Sequence, residues 1–456
     1  MCGIYFTASK HTPVSHDLTH IHRRGPDSIV TQFASFGDWT LSFTASVLHL
    51  RGQATTPQPI TDGVRILCWN GEAFRYDGEP VAGNDARFVF HKLSELSPLE
   101  VLAKIDGPWA MVYYDGTKVI YGKDRTGRRS LLRHTNGICL TSVVLETDDK
   151  EWHDIEGLFI TDLKSTQHFP SSSLAFNLSI EETHEDFLED SNISAELLSH
   201  LQHAIRIRVY SVPLAAQRVA VLFSGGIDCG VIARLIDQVL PEVEIVDLVN
   251  VAFEHKGDGF DVPDRITGRR GCNELRQVSR RRWNLIEVNV THKQADAARP
   301  LVRQLMYPNE SVMDESIALA FYFAAGGSSA RVLFSGLGAD EQLGGYSRHQ
   351  RALSRHGYAA LAAEIALDVD RIGLRNLGRD DRVISAHGKE VRYPYLDEQV
   401  MGFLASLPVH QKTGRMGKEL LRCLAKDLGL DLMSREKKRA IQFGSRTASY
   451  QAMSKH

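Results

Sequence analysis

Up to about residue 190, apolar residues come in short runs cut by polar turns. Ile66-Leu67-Cys68-Trp69 runs into Asn70-Gly71-Glu72, and the apolar runs at 109–114 and 118–121 are split by Asp115-Gly116, a hairpin signal. Short strands alternating with Gly-, Asp- and Asn-rich turns predict a sandwich of antiparallel sheets with helices outside; one helix opens at Asn84-Asp85 and covers 86–93. Residues 171–189 are polar and acidic with no sustained apolar period, which sets a boundary near 190 and two units, 1–190 and 191–456. Beyond it the period lengthens. Leu197, Leu198, Leu201, Ala204, Ile205 and Val209 recur at helical spacing. Val219, Val221, Leu222 and Phe223 then form a short apolar run, Ser224-Gly225-Gly226 breaks it, and Val231, Ile232, Leu235, Ile236 and Val239 resume helical spacing.

That stretch reads as buried strand, tight turn and helix. Further strands are expected at 244–253, 285–290 and 331–334, and a helix begins near Met313-Asp314-Glu315-Ser316 and runs to Ala325, with Asp314 or Ser316 as its cap. The Gly- and charge-rich stretch 257–276 is expected to be a loop near a ligand. Strands alternating with helices predict a doubly wound parallel sheet, so the fold class is α/β and α+β.

Composition narrows the function. The chain has 456 residues, 43% hydrophobic and 24% charged, with a net charge of −3. Nothing here favours nucleic acid through bulk charge, and Arg280-Arg281-Arg282 reads as a solvated surface. No apolar run approaches the roughly 18 residues a membrane helix needs, and no secretory signal is expected. Six cysteines, at 2, 68, 139, 229, 272 and 423, form no C-x-x-C pair. A reducing, cytoplasmic setting without disulfides or zinc is the expectation.

The candidate chemistry sits at the turns. The two glycines after Ser224 permit positive φ and close approach of a ligand to free N–H groups at a helix N-terminus, an arrangement suited to an anion. Asp228 follows in the first helical turn, where a carboxylate beside phosphates usually holds Mg²⁺. A second strand ends in Ser335-Gly336-Leu337-Gly338-Ala339-Asp340, again with a carboxylate behind glycines. In an open parallel sheet such turns gather at the carboxyl edge, so Asp228 and Asp340 are expected to share the metal. At the other end of the chain, removal of Met1 would leave Cys2 with a free α-amino group of pKa about 7.7–8.0. A terminal Cys then carries nucleophile and base together. Taken alone, Cys2, Arg51 and Asp85 read as an incidental cysteine and an ordinary ion pair.

The combination is more specific. Met1-Cys2-Gly3-Ile4, Arg24-Gly25-Pro26-Asp27-Ser28, Asn70-Gly71-Glu72 and Asp85, in this order, resemble the Ntn-type glutaminase domain of class II glutamine amidotransferases. The resemblance implies that Cys2 attacks the glutamine amide, that Asn70 and Gly71 hold the oxyanion, and that Arg51 and Asp85 bind the glutamine α-carboxylate and α-amine. The Ser-Gly-Gly-hydrophobic-Asp loop resembles that of ATP pyrophosphatases, with Cys229 where that loop usually has Ser. Together the halves resemble asparagine synthetases, and the stretches 262–269, 338–349, 376–398 and 438–446 resemble the asparagine synthetase domain-containing branch.

The resemblance implies ATP with Mg²⁺, an acyl-adenylate, and ammonia passed from glutamine to aspartate or another carboxylic acid. It assigns ATP contacts to Leu222, Ser224, Gly225, Gly226, Asp228, Cys229, Val251, Ser335, Gly336 and Arg392, and pyrophosphate to Lys437 or Lys438. A homodimer is compatible with it. One position departs: asparagine synthetases carry Glu, and β-lactam synthetases Tyr, where this chain has Leu337. Leu transfers no proton, so Glu390 is the candidate for acid–base work. The alternatives are a ligase or cyclase acting on a different carboxylate, or a scaffold without catalysis.

Overall fold

The computed structural model describes residues 2–10, 17–145, 151–171, 174, 191–213, 218–414 and 416–448. The expected dividing point near 190, and Met1, lie outside these residues.

Two six-stranded antiparallel sheets form the first part. One has Gly3–Ser9 between Cys139–Thr141 and Trp39–Val47. The other has Ile66–Gly71 beside Trp109–Tyr114, which turns at Asp115-Gly116 into Val119–Lys123. Strand side chains alternate between faces, so Cys68, Val112 and Tyr121 meet Ile4, Phe6 and Phe43 of the opposing sheet. Leu67, Trp69 and Met111 point the other way, against Val89 and Leu93 of the helix Asp85–Glu95. Asn70 shares the parity of Ile66 and Cys68. It therefore faces the opposing sheet, in which Cys2 precedes the strand Gly3–Ser9. Asn70-Gly71 ends the strand Ile66–Gly71.

The second part is built on a five-stranded parallel sheet in the order Trp283–Val290, Val246–Phe253, Val219–Leu222, Val332–Phe334, Glu390–Arg392. Val219 and Val221 pack with Leu201, Ile205, Ile232 and Ile236 on one face. Ala220 and Leu333 pack with Leu319, Val383 and Ile384 on the other. The chain runs outward from the central strand Val219–Leu222, then returns to build its other side. The order reverses between Val219–Leu222 and Val332–Phe334, and such a switch opens a crevice at the carboxyl edge.

Two expectations are corrected. The stretch 257–276 is not a loop, because the helix Pro263–Val278 occupies most of it, started by Pro263 in the first turn. Its glycines serve close packing: a Cβ at Gly268 would lie 2.5 Å from Asn250 Nδ2, and one at Gly271 only 3.1 Å from Met433 Sδ. The helix Val312–Gly326 is capped by Ser311, whose side chain accepts from Asp314 N–H, and not by Asp314 or Ser316. The two parts are joined by buried ion pairs, Arg75–Asp397 at 2.8 Å and Arg24–Asp381 at 2.7 Å.

Candidate active sites

The first site surrounds Cys2. A Cβ at Gly3 would lie 2.7 Å from both Ile21 O and Ser46 Oγ, so only glycine lets the chain enter its sheet here. The Cys2 carbonyl accepts from Arg24 Nε at 3.1 Å, and Gln58 Nε2 approaches its Sγ at 3.8 Å. Burial pushes the thiol up to about 11, and the carboxylates of Asp85 and Glu390 add to the rise. The pocket beside it is lined by Cys2, Arg51, Gln58, Gly71, Glu72 and Asp85. At about 30 Å³ its enclosed space is that of a single water molecule.

Asn70, fully buried, is the unusual residue. Among the described residues neither its Nδ2 nor its Oδ1 has a hydrogen-bond partner. An orphaned buried amide costs about 1–3 kcal/mol, a cost that a ligand oxygen at Nδ2 would remove. A Cβ on Gly71 would lie 2.5 Å from Pro108 O, so that position admits glycine alone. Arg51 donates to Glu72 Oε2 at 3.1 Å, Val81 O at 2.6 Å and Gly83 O at 3.2 Å, leaving two of the five guanidinium N–H groups. Asp85 Oδ2 is fixed by Trp69 Nε1 and Ala73 N, each at 3.0 Å.

The second site is a cavity of about 370 Å³ at the carboxyl edge of the parallel sheet. Leu222, Ser224, Asp228, Val251, Ser335, Gly336, Leu337, Asp340 and Lys438 all line it. Gly225 is left-handed at φ +79°, and a Cβ there would sit 2.1 Å from Thr267 O. Gly226 caps the helix Ile227–Val239 and lines an adjoining cleft with Lys437 and Lys438. The two turns touch, since a Cβ on Gly336 would lie 2.7 Å from Asp228 Cβ.

Lys418 ties the carboxylates together. Its Nζ is 2.9 Å from both Asp228 oxygens and 2.7 Å from Asp340 Oδ1. Lys438 pairs with Asp340 Oδ2. Burial would raise Asp340, but Lys418 and Lys438 outweigh it and hold the carboxyl well below its usual range. Asp228 goes the other way, raised by burial and by the neighbouring Asp340 charge. Two converging carboxylates at glycine turns fit a divalent cation whose remaining ligands are phosphate oxygens and water. Among the described residues there is no cluster of three or more His, Cys, Asp or Glu that could hold a metal without them.

The asparagine synthase family model matches residues 196–368 and 355–456. The chain is 33% identical to asparagine synthetase domain-containing protein 1 of Bos taurus, over 98% of this chain and 96% of that one. The chain belongs to the asparagine synthase family. An asparagine synthetase domain-containing protein of Saccharomyces cerevisiae is 33% identical over 94% of this chain and 88% of its own. A putative glutamine-hydrolysing asparagine synthetase of Methanocaldococcus jannaschii is 24% identical over 79% and 68%.

Four expected site residues of this family member stand outside the cavity. Glu390 and Arg392 do not line the cavity. They sit two apart on the strand Glu390–Arg392, so both turn from the core that Val391 enters and face the antiparallel sheets. Glu390 accepts from Arg392 at 2.7 Å and lies 3.1 Å from Arg129, which leaves it no acid–base role in the second cavity. Cys229 turns back onto its own loop, donating to Gly226 O at 3.2 Å. Lys437 reaches only the adjoining cleft, whereas Lys438 lines both spaces.

Sequence reasoning missed Lys418, Asp264 and Glu341. Asp264 is pushed up to about 7 by burial beside Arg439. Glu341 accepts from Tyr346 Oη at 2.5 Å and Gly338 N at 3.0 Å. Glu341 follows Asp340 directly and was legible as a second carboxylate, and Asp264 lies in the stretch 262–269 already singled out, whereas nothing marks Lys418.

Proposed function

We propose that the protein makes an amide from glutamine nitrogen and an ATP-activated carboxylic acid. The observation that carries this reading is the coexistence of two separate polar sites in one chain. An orphaned amide at Asn70 faces the sheet that Cys2 enters, and two carboxylates converge on a lysine at paired glycine turns. In the first site the Cys2 sulfur attacks the glutamine carboxamide carbon. The oxyanion is held by Asn70 Nδ2 and Gly71 N–H, each such donor being worth about 2.7–4 kcal/mol. Ammonia leaves, and water releases glutamate from the thioester. With Met1 removed, the Cys2 amine serves as the base. Arg51 offers its two remaining N–H groups to the α-carboxylate, and Asp85 receives the α-amine.

In the second site the acceptor carboxylate attacks the α-phosphorus of ATP and pyrophosphate departs. Ammonia then displaces AMP from the acyl carbon. Leu222 and Val251 supply an apolar bed for the base, while Ser224 and Ser335 with the glycine turns hold the phosphates. Lys438 neutralises the departing pyrophosphate. Asp228 and Asp340 would hold Mg²⁺, which supplies charge neutralisation of the phosphates when bound.

Aspartate is the simplest acceptor by family. Leu337 in the cavity wall favours a second reading, a different carboxylic acid with an apolar segment against that side chain. Mass spectrometry of products formed with ATP, Mg²⁺, glutamine and a pool of carboxylic acids separates the two. An asparagine product supports the first and another amide the second. AMP formation without any amide removes both.

A further inference from the structure

Glu72 stands between the two sites. Its Oε2 accepts from Arg51 at 3.1 Å and its Oε1 from Arg392 Nη2 at 3.2 Å. Arg392 Nε donates to Glu390 at 2.7 Å, and the Arg392 carbonyl accepts the Ser335 N–H at 3.0 Å. Ser335 opens the second glycine turn and lines the cavity at the strand ends. An unbroken line of contacts therefore runs from the wall of the glutamine pocket to the ATP cavity. All its charged members are buried, with side-chain exposures of 7% for Arg51, 3% for Glu72 and 1% for Arg392.

The line has a shared member. Arg392 serves two carboxylates, Glu72 and Glu390, and Glu72 serves two guanidinium groups. Burial together with the Glu390 charge pushes Glu72 up to about 8, so its charge depends on both arginines. A glutamine carboxylate on the two remaining N–H groups of Arg51 shares its guanidinium charge with Glu72 and so weakens the Arg51–Glu72 pair. Arg392 is then redistributed between Glu72 and Glu390, and its strand carries the Ser335 turn. Two arrangements of one buried group, each favoured by a different ligand state, are what coupling between sites requires.

Building on the two-site reading above, we propose that Arg392 is a positioning residue that couples them. Filling the glutamine pocket shifts Arg392 toward Glu72 and moves the Ser335 turn. Glutamine and ATP therefore alter each other's affinity. The test uses the full chain carrying Cys2→Ala, so that glutamine stays intact, and α,β-methylene-ATP with Mg²⁺. Calorimetric titration is run with each ligand in the absence and presence of the other. The expected result is a reciprocal change of about fivefold or more in both dissociation constants.

Arg392→Met reduces that factor to below about twofold, and Arg392→Lys restores part of it. Glu72→Gln keeps the side-chain volume and decides the matter if Arg392→Met does not fold. Independent binding in the unsubstituted background, or an undiminished factor in the variants that fold, overturns the coupling and leaves the two-site reading standing. Failure of either ligand to bind at all overturns both. A purely structural network would lower the melting temperature of the variants and leave the factor intact.

Discussion

Replacing Asn70 separates catalysis from stability. Its carboxamide is fully buried on the strand Ile66–Gly71, with both polar atoms unpartnered among the described residues. In the resting protein that arrangement is a loss of about 1–3 kcal/mol, the desolvation of groups that recover no hydrogen bond. Asn70→Leu keeps the shape and removes the polar atoms. The variant should therefore be more stable to urea by an amount of that order. The same change removes an oxyanion donor, which should lower glutaminase kcat by about 10²–10³-fold, equivalent to 2.7–4 kcal/mol of transition-state stabilisation. The glutamine KM should move little, because the donor acts on the tetrahedral oxyanion. Paired urea denaturation and glutamate-release assays read both quantities. A variant that loses stability along with activity, or one that keeps full activity, refutes the assignment.

Other substitutions extend the test. Lys418→Met removes the cation from between Asp228 and Asp340. Breaking such a buried pair costs about 3–5 kcal/mol, and pyrophosphate release should vanish. Mg²⁺ alone should raise the melting temperature of the variant more than that of the parent chain; an equal rise speaks against a shared cation site. Asp264, at about 7 in the folded chain, has an unfolded value near 3.9. Between about pH 4 and 7 the unfolded chain ionises first, so stability falls as pH rises. Asp264→Asn should flatten the stability profile over that window and leave it unchanged below about pH 4. In the chain that retains Met1, the raised Cys2 thiol predicts that iodoacetamide alkylation at Cys2 accelerates about tenfold per pH unit through pH 9. A plateau at an ordinary thiol pKa, near 8.5, would contradict the burial.

Much of the fold is legible along the chain because its signals are local. The Val219–Leu222 strand, the Ser224–Gly226 break and the helix from Ile227 follow from residue order alone. The stretch 257–276 misleads because glycine usually marks a turn, whereas Gly268 and Gly271 are where a helix presses against Asn250 and Met433. That need arises only from tertiary packing. Lys418 lies 190 residues from Asp228 and carries no neighbouring motif. Glu390 and Arg392 are in the right segment but on the face that looks at the antiparallel sheets, and strand parity fixes that only once Val391 is known to enter the core. Asn70 was readable as a donor from its motif, whereas its lack of a partner among the described residues belongs to the folded molecule.

The central claim is that nitrogen leaves glutamine at Cys2 and is joined to a carboxylate activated by ATP in the same molecule. Amide-¹⁵N glutamine, supplied with ATP, Mg²⁺ and the acceptor found in the pool experiment, tests it directly. ¹⁵N should appear in the amide product, with AMP and pyrophosphate formed in equal amounts and all label transfer lost in Cys2→Ala. Label confined to free ammonia, ATP cleaved to ADP and phosphate, or transfer persisting in Cys2→Ala would contradict it.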